Sequence, residues 1–166
     1  MNFKEMFLMQ KKLDKYIEDK HLLSSEPLLE RKIMAFQVEV AELINETRCF
    51  KFWSEKGPSE REVILEEYVD GIHFLLSTGI ELNFNDHSNY DYPEASHSSD
   101  VELVGLFFEV IDHIQRLRKE KTRANYEKLF LEYLNVGASL GFTEGEIGQA
   151  YMQKNEVNHT RQDEGY

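Results

Sequence analysis

Two pairs of carboxylates stand out by their spacing. Glu39-Val-Ala-Glu42 and Glu67-Tyr-Val-Asp70 each place two acids three residues apart. On a helix that separation makes them neighbours on one face. The second pair lies inside "LEEYVDGIHFLL", residues 65–76, a run otherwise dominated by large apolar side chains. A helix apolar nearly all round belongs at the centre of a bundle, so Glu67 and Asp70 are expected to point into a crevice. Converging carboxylates away from water are costly to keep ionised. Three remedies are open: raised pKa values, basic partners or hard cations. Oxygen donors carrying several negative charges suit Mg²⁺, with Mn²⁺ able to substitute, rather than zinc. Such an ion would attract a polyphosphate and activate a water.

A second group of polar residues sits near the C-terminus. If the last helix continues through residue 154, Tyr151, Lys154, Asn155 and Asn158 share one face, at i, i+3, i+4 and i+7. Arg161 lies just beyond and suits bidentate phosphate contacts. Taken alone, this stripe also fits a solvated terminal helix. His73 alone reads as a core histidine, and Trp53 alone as a packing residue.

The elements that must position these groups read as helix after helix. Phe3, Met6, Phe7, Leu13, Tyr16 and Ile17 mark an amphipathic helix over 2–20. A second is expected over 26–48, with Pro27 in its first turn and Leu29, Ile33, Phe36, Val40, Leu43 and Ile44 inward. The third, over 59–82, opens with a capping box at Ser59-x-x-Glu62. A polar loop over 83–99 follows, long enough to be functional or mobile. Ser99-x-x-Glu102 caps a fourth helix with Val101, Val104, Phe108, Ile111 and Leu117 inward. The fifth spans 123–140 and stops at Gly141. Thr143-x-x-Glu146 caps a sixth, to about 156, and the polar end "EVNHTRQDEGY" is expected to be extended. No strand of convincing alternation occurs. The fold class is therefore all-α, a bundle of about six helices in one domain over 1–166, with 158–166 a polar C-terminal tail.

Composition agrees and excludes some partners. The chain has 166 residues, 41% of them hydrophobic, which suits a globular domain with a sizeable core. Asp and Glu number 31 against 19 Lys and Arg, for a net charge of −12. Without a basic face, a nucleic-acid polymer is not an expected partner. Cys49 is the only cysteine, so neither an internal disulfide nor a cysteine-based zinc site can form. The N-terminal run "MNFKEMFLMQKKLDKYI" is interrupted by charge and reads as neither signal peptide nor membrane span. A cytoplasmic location is expected.

The pattern Glu39-x-x-Glu42, 24 intervening residues, then Glu67-x-x-Asp70 resembles the all-α nucleoside triphosphate pyrophosphohydrolases, which include MazG-like enzymes and the dimeric dUTPases. "CFKFWSEKG" (49–57), "YVDGIHF" (68–74), "LMQKKLDKYI" (8–17) and above all "YMQKNEVNHTRQDEGY" (151–166) resemble segments of the dimeric dUTPases. The resemblance runs over nearly the whole chain and is weakest across 83–135. It implies an all-α, MazG-like architecture, hydrolysis of dUTP to dUMP and pyrophosphate, and a homodimer in which one subunit completes the other's pocket. Trp53 and the 83–99 loop are the segments for that exchange.

The resemblance further implies that Glu39, Glu42, Glu67 and Asp70 are the catalytic carboxylates and hold Mg²⁺, with Glu39 orienting or deprotonating the attacking water. Lys56, Tyr151, Lys154 and Arg161 would contact the phosphates. Trp53 would stack on the base, Gln10 and Asn155 would read its edge, and His73 and Phe74 would close the pocket, with Asn158 beside them. Leu13-Asp14 departs from relatives that carry an Asn nearby. Two further readings stay open: a broader-specificity MazG-like pyrophosphohydrolase, and a non-enzymatic helical module whose acidic face docks a basic protein.

Overall fold

The computed structural model describes residues 1–165 and contains six helices: α1 (Phe3–Lys20), α2 (Leu29–Thr47), α3 (Arg61–Glu81), α4 (Asp100–Lys119), α5 (Arg123–Ser139) and α6 (Glu144–Asp163). Among the described residues the only extended pairing is an isolated bridge between His97 and Leu140.

The continuous apolar run of the third segment has the expected consequence. Helix α3 occupies the centre and packs against α1, α2, α5 and α6. Tyr68, Ile72, Leu75 and Leu76 on it are fully buried. Tyr68 of α3 and Tyr133 of α5 stack at 4.8 Å and exchange hydrogen bonds, each hydroxyl donating to the other's backbone carbonyl, at 3.1 and 2.9 Å. Tyr126 donates likewise to the Leu75 carbonyl. These rings press on Gly71, Gly79 and Gly137, where any Cβ would collide with a tyrosine hydroxyl. Glycine is needed there for close approach of the two backbones.

Several local expectations need correction. Ser59 does not cap α3. Its hydroxyl donates to Glu46 and its N–H to the Glu46 carbonyl, tying the 48–60 loop back to α2, and the N-cap is Glu60 without a side-chain bond. Pro27 precedes α2 by two residues rather than sitting in its first turn. The capping boxes at Ser99 and Thr143 form as expected. Helix α6 does not stop near 156. It continues to Asp163, so the segment expected to be extended is largely helical.

The largest difference lies in α4. Its buried stripe is Leu103, Phe107, Val110, Ile114 and Leu117, whereas Val101 is 83% and Phe108 64% exposed, with Val104 and Ile111 half-buried. The helix carries two apolar stripes, and spacing alone cannot say which of them faces this chain's own core.

The 83–99 segment is pinned to the bundle. Tyr90 stacks on Phe130 at 4.0 Å, the Tyr92 hydroxyl donates to the Phe142 carbonyl, and the Ser96 and Ser98 amides donate to the end of α5.

Candidate active site

Helices α1, α2, α3 and α6 surround a cavity of about 330 Å³. Glu39, Asp70 and Lys154 line one part of it, with Arg161 and Asn158 from α6. Gln10, Asp14, His73, Phe74 and Ser77 line the remainder, with Leu13, Ile17 and Gln162. The i, i+3, i+4, i+7 logic of α3 explains the wall it supplies: Asp70, His73, Phe74 and Ser77 share one face.

Oxygen atoms of Glu39, Glu67 and Asp70 lie within 4.8 Å of one another. All three residues are half-buried. Burial, reinforced by the charges of Asp70, Glu42 and Glu67, pushes the Glu39 carboxyl up to about 7. Burial and the charges of Asp70 and Glu42 also raise Glu67. Asp70 is raised by burial even though Lys154 opposes the shift. Hard oxygen donors that resist ionisation because they are buried, and in the case of Glu39 and Glu67 also crowded by like charge, fit a divalent cation, which would offset both costs. Glu42 is exposed and lies outside this triad, but its charge reaches it.

Lys154 supplies the local counter-charge. Its Nζ lies 2.6 Å from Asp70 and 2.7 Å from Glu66. Burial works to lower its pKa, but the two carboxylates outweigh burial and hold it above the ordinary lysine range. Glu66 in turn is lowered by Lys154. The motif spacing gave no sign of Glu66, because its partner lies on a helix 88 positions along the chain.

Behind the cavity the polar groups interlock. The His73 Nδ1 lies 2.7 Å from the Gln10 Oε1, and the His73 ring stacks on Tyr151 at 4.3 Å. The Tyr151 hydroxyl lies 3.0 Å from the Gln10 Oε1 and 3.1 Å from the Met6 carbonyl. Tyr151 is fully buried and is not among the residues lining the cavity; its hydroxyl is engaged in these internal contacts. Asn155 is buried beside it rather than lining the cavity.

Trp53 and Lys56 are not brought to this cavity. Both lie exposed on the loop after α2, where Trp53 contacts Phe50 and the 94% exposed Phe52 edge-on. The 83–99 loop does not line the cavity either. Asp14 and Ser77 are lining residues that the motifs did not flag. Asp14 is one turn from Gln10, and Ser77 one turn from His73, so helical spacing alone could have included them.

A bundle in which α2 and the central α3 bring three carboxylates together, beside a cavity also lined by a lysine and an arginine, suits the binding of a metal and an anionic ligand. The family model for dUTPases matches residues 2–166, and the chain belongs to that family. It is thus a dUTP diphosphatase, an enzyme of the nucleoside triphosphate pyrophosphohydrolase class. A non-enzymatic docking module is thereby set aside. Enzymes of this family normally use a divalent metal, for which the triad is the candidate site. No curated protein matches the chain. Among the described residues, no helix is long and apolar enough to cross a membrane.

Proposed function

We propose that the cavity walled by α1, α2, α3 and α6 is where dUTP is hydrolysed to dUMP and pyrophosphate. The observation that carries this reading is the clustering of Glu39, Glu67 and Asp70 at a cavity that Glu39 and Asp70 line together with Lys154 and Arg161. Mg²⁺, or Mn²⁺ in its place, would be held by the triad with Glu42 at its edge, supplying Lewis acidity and positive charge against the triphosphate. Glu39 is the candidate general base: burial and the neighbouring carboxylates raise its proton affinity above that of an ordinary glutamate, and its ionised form takes the proton from the attacking water.

Lys154 and Arg161 serve the phosphates, Arg161 as a planar fork. Gln10 and His73 face the base, with Asn155 and Asn158 behind them on α6. Phe74 packs against the sugar and excludes a 2′-hydroxyl. Tyr151 acts by holding His73 and Gln10 in place.

The same reading makes the enzyme a homodimer. Phe50, Val104, Phe108 and Ile111 line one continuous apolar groove that also reaches Ile44 and Cys49. Exposed apolar surface of this kind marks an interaction face. A second copy seated there would cover Val101 and Phe108, and would let Trp53 and Lys56 serve the base and phosphates of the partner's cavity. The compartment is the cytoplasm, where the single Cys49 stays reduced.

A pyrophosphate-release assay with dUTP, dTTP, dCTP and UTP tests the assignment. Turnover of dUTP well above the rest, dependent on Mg²⁺ and lost in Glu67→Gln, is the expected result. Equal rates on all four would replace it with a broad MazG-like specificity.

A further inference from the structure

Asp14 accepts a hydrogen bond from the Gln10 Nε2 at 2.7 Å through its Oδ1. Its Oδ2 accepts from the Ser77 hydroxyl, and the Lys32 Nζ lies 3.5 Å away. Lys32 is itself anchored by Glu18 at 3.2 Å and Glu81 at 2.8 Å, so one ammonium ties α1, α2 and α3 together behind the cavity.

This chain of contacts has one consistent assignment of hydrogens. A carboxylate only accepts, so Gln10 must turn its NH₂ toward Asp14 and its carbonyl toward His73 and Tyr151. A carbonyl oxygen also only accepts, so the His73 Nδ1 must carry the hydrogen. The His73 pKa is pushed down to about 3 by burial, so the ring holds one hydrogen and not two. The Nε2 is left a bare acceptor, buried and without a protein partner, in a ring that lines the cavity.

We infer that Asp14 is a specificity-determining positioning residue: through Gln10 it fixes the His73 tautomer, so that this wall accepts a ring N–H from the ligand. On the reading that the cavity binds a nucleotide base, which this step rests on, the imide N3–H of uracil meets that acceptor. The N3 lone pair of cytosine repels it.

The test exploits near-isosteric chemistry. In Asp14→Asn, Ser77 and Lys32 keep the side-chain oxygen, so the new NH₂ faces Gln10. Gln10 must then turn over and donate to the His73 Nδ1, which moves the ring hydrogen to Nε2. Heteronuclear NMR of ¹⁵N-histidine-labelled full-length protein distinguishes the two tautomers. The expected result is Nδ1–H in the wild type and Nε2–H in Asp14→Asn. It is accompanied by at least about a tenfold fall in the kcat/KM ratio of dUTP over dCTP, mostly through KM.

Should Asp14→Asn fail to fold, Gln10→Met decides, because removing the acceptor returns the ring to its intrinsically favoured Nε2–H form. An Nε2–H wild type, or an unchanged tautomer in whichever variant folds, overturns the inference. If the tautomer moves as expected but the wild type cleaves no nucleotide, the relay stands and the assignment of the cavity falls. A tautomer shift with an unchanged dUTP preference would overturn the specificity role.

Discussion

On the side of α3 that meets α5, Tyr68, Tyr126 and Tyr133 lie against glycine backbones and every one of their hydroxyls donates to a carbonyl. On the side that meets α1 and α6, the same helix presents Asp70, His73, Phe74 and Ser77 to an open cavity. One face spends its polar atoms on internal bonds, whereas the other leaves Glu39 and Glu67 crowded by like charge and the His73 Nε2 without a partner. The contrast teaches how a helix can carry a strained site: the closed face fixes its backbone, so the open face can hold groups that repel one another. Buried polar groups lacking partners are destabilising on their own.

The sharpest way to break this comparison is to disarm the open face. On the proposed metal role, Glu67→Gln should lower kcat at least about 100-fold, since loss of even an outer-shell partner of a metal costs about 10- to 100-fold. The metal-free melting temperature should not fall, because one of the mutually repelling charges is gone. A large loss of stability would show that the acids support the fold after all.

The closed face should respond in the opposite sense. Gly71→Ala forces a methyl group onto the Tyr133 hydroxyl and is expected to cost about 3 kcal/mol, combining overpacking with a broken buried bond. Urea denaturation measures it. Adding Tyr133→Phe should recover part of the loss, because the colliding oxygen is removed.

Metal and pH sharpen the contrast further. The folded Glu39 pKa of about 7 lies above its ordinary 4.5, so the native state binds more protons than the unfolded chain between those values. Stability conferred by the protonated form is therefore full below 4.5 and lost as pH rises toward 7. Calorimetric scans of metal-stripped protein should show the melting temperature falling across that window, and Mg²⁺ should flatten the slope. A melting temperature that rises over the same range without metal would contradict the crowding.

Truncation after Val157 should have the smallest effect on stability. It removes Asn158, Arg161 and Gln162 from the cavity, together with exposed contacts from Tyr16 to Asp163 and from His21 to Gln162. Turnover should fall far more than the melting temperature, as parallel kinetic and thermal assays would reveal.

Much of this was legible in the chain. The helices followed from 3.6-residue periodicity, and the Ser99 and Thr143 caps from their capping boxes. The placing of Glu67 and Asp70 on one face of α3 followed from their three-residue spacing, and the central place of α3 from its nearly continuous apolar run. Each is a local property, set by backbone geometry within a few residues. The outward stripe of α4, the seating of Lys154 between Asp70 and Glu66, the withdrawal of Tyr151 behind the cavity and the orientation of Gln10 by Asp14 were decided only by tertiary structure. Those outcomes depend on which of several chemically suitable groups lie within hydrogen-bonding distance after the helices pack, and that distance is a property of the assembled bundle rather than of any segment of it.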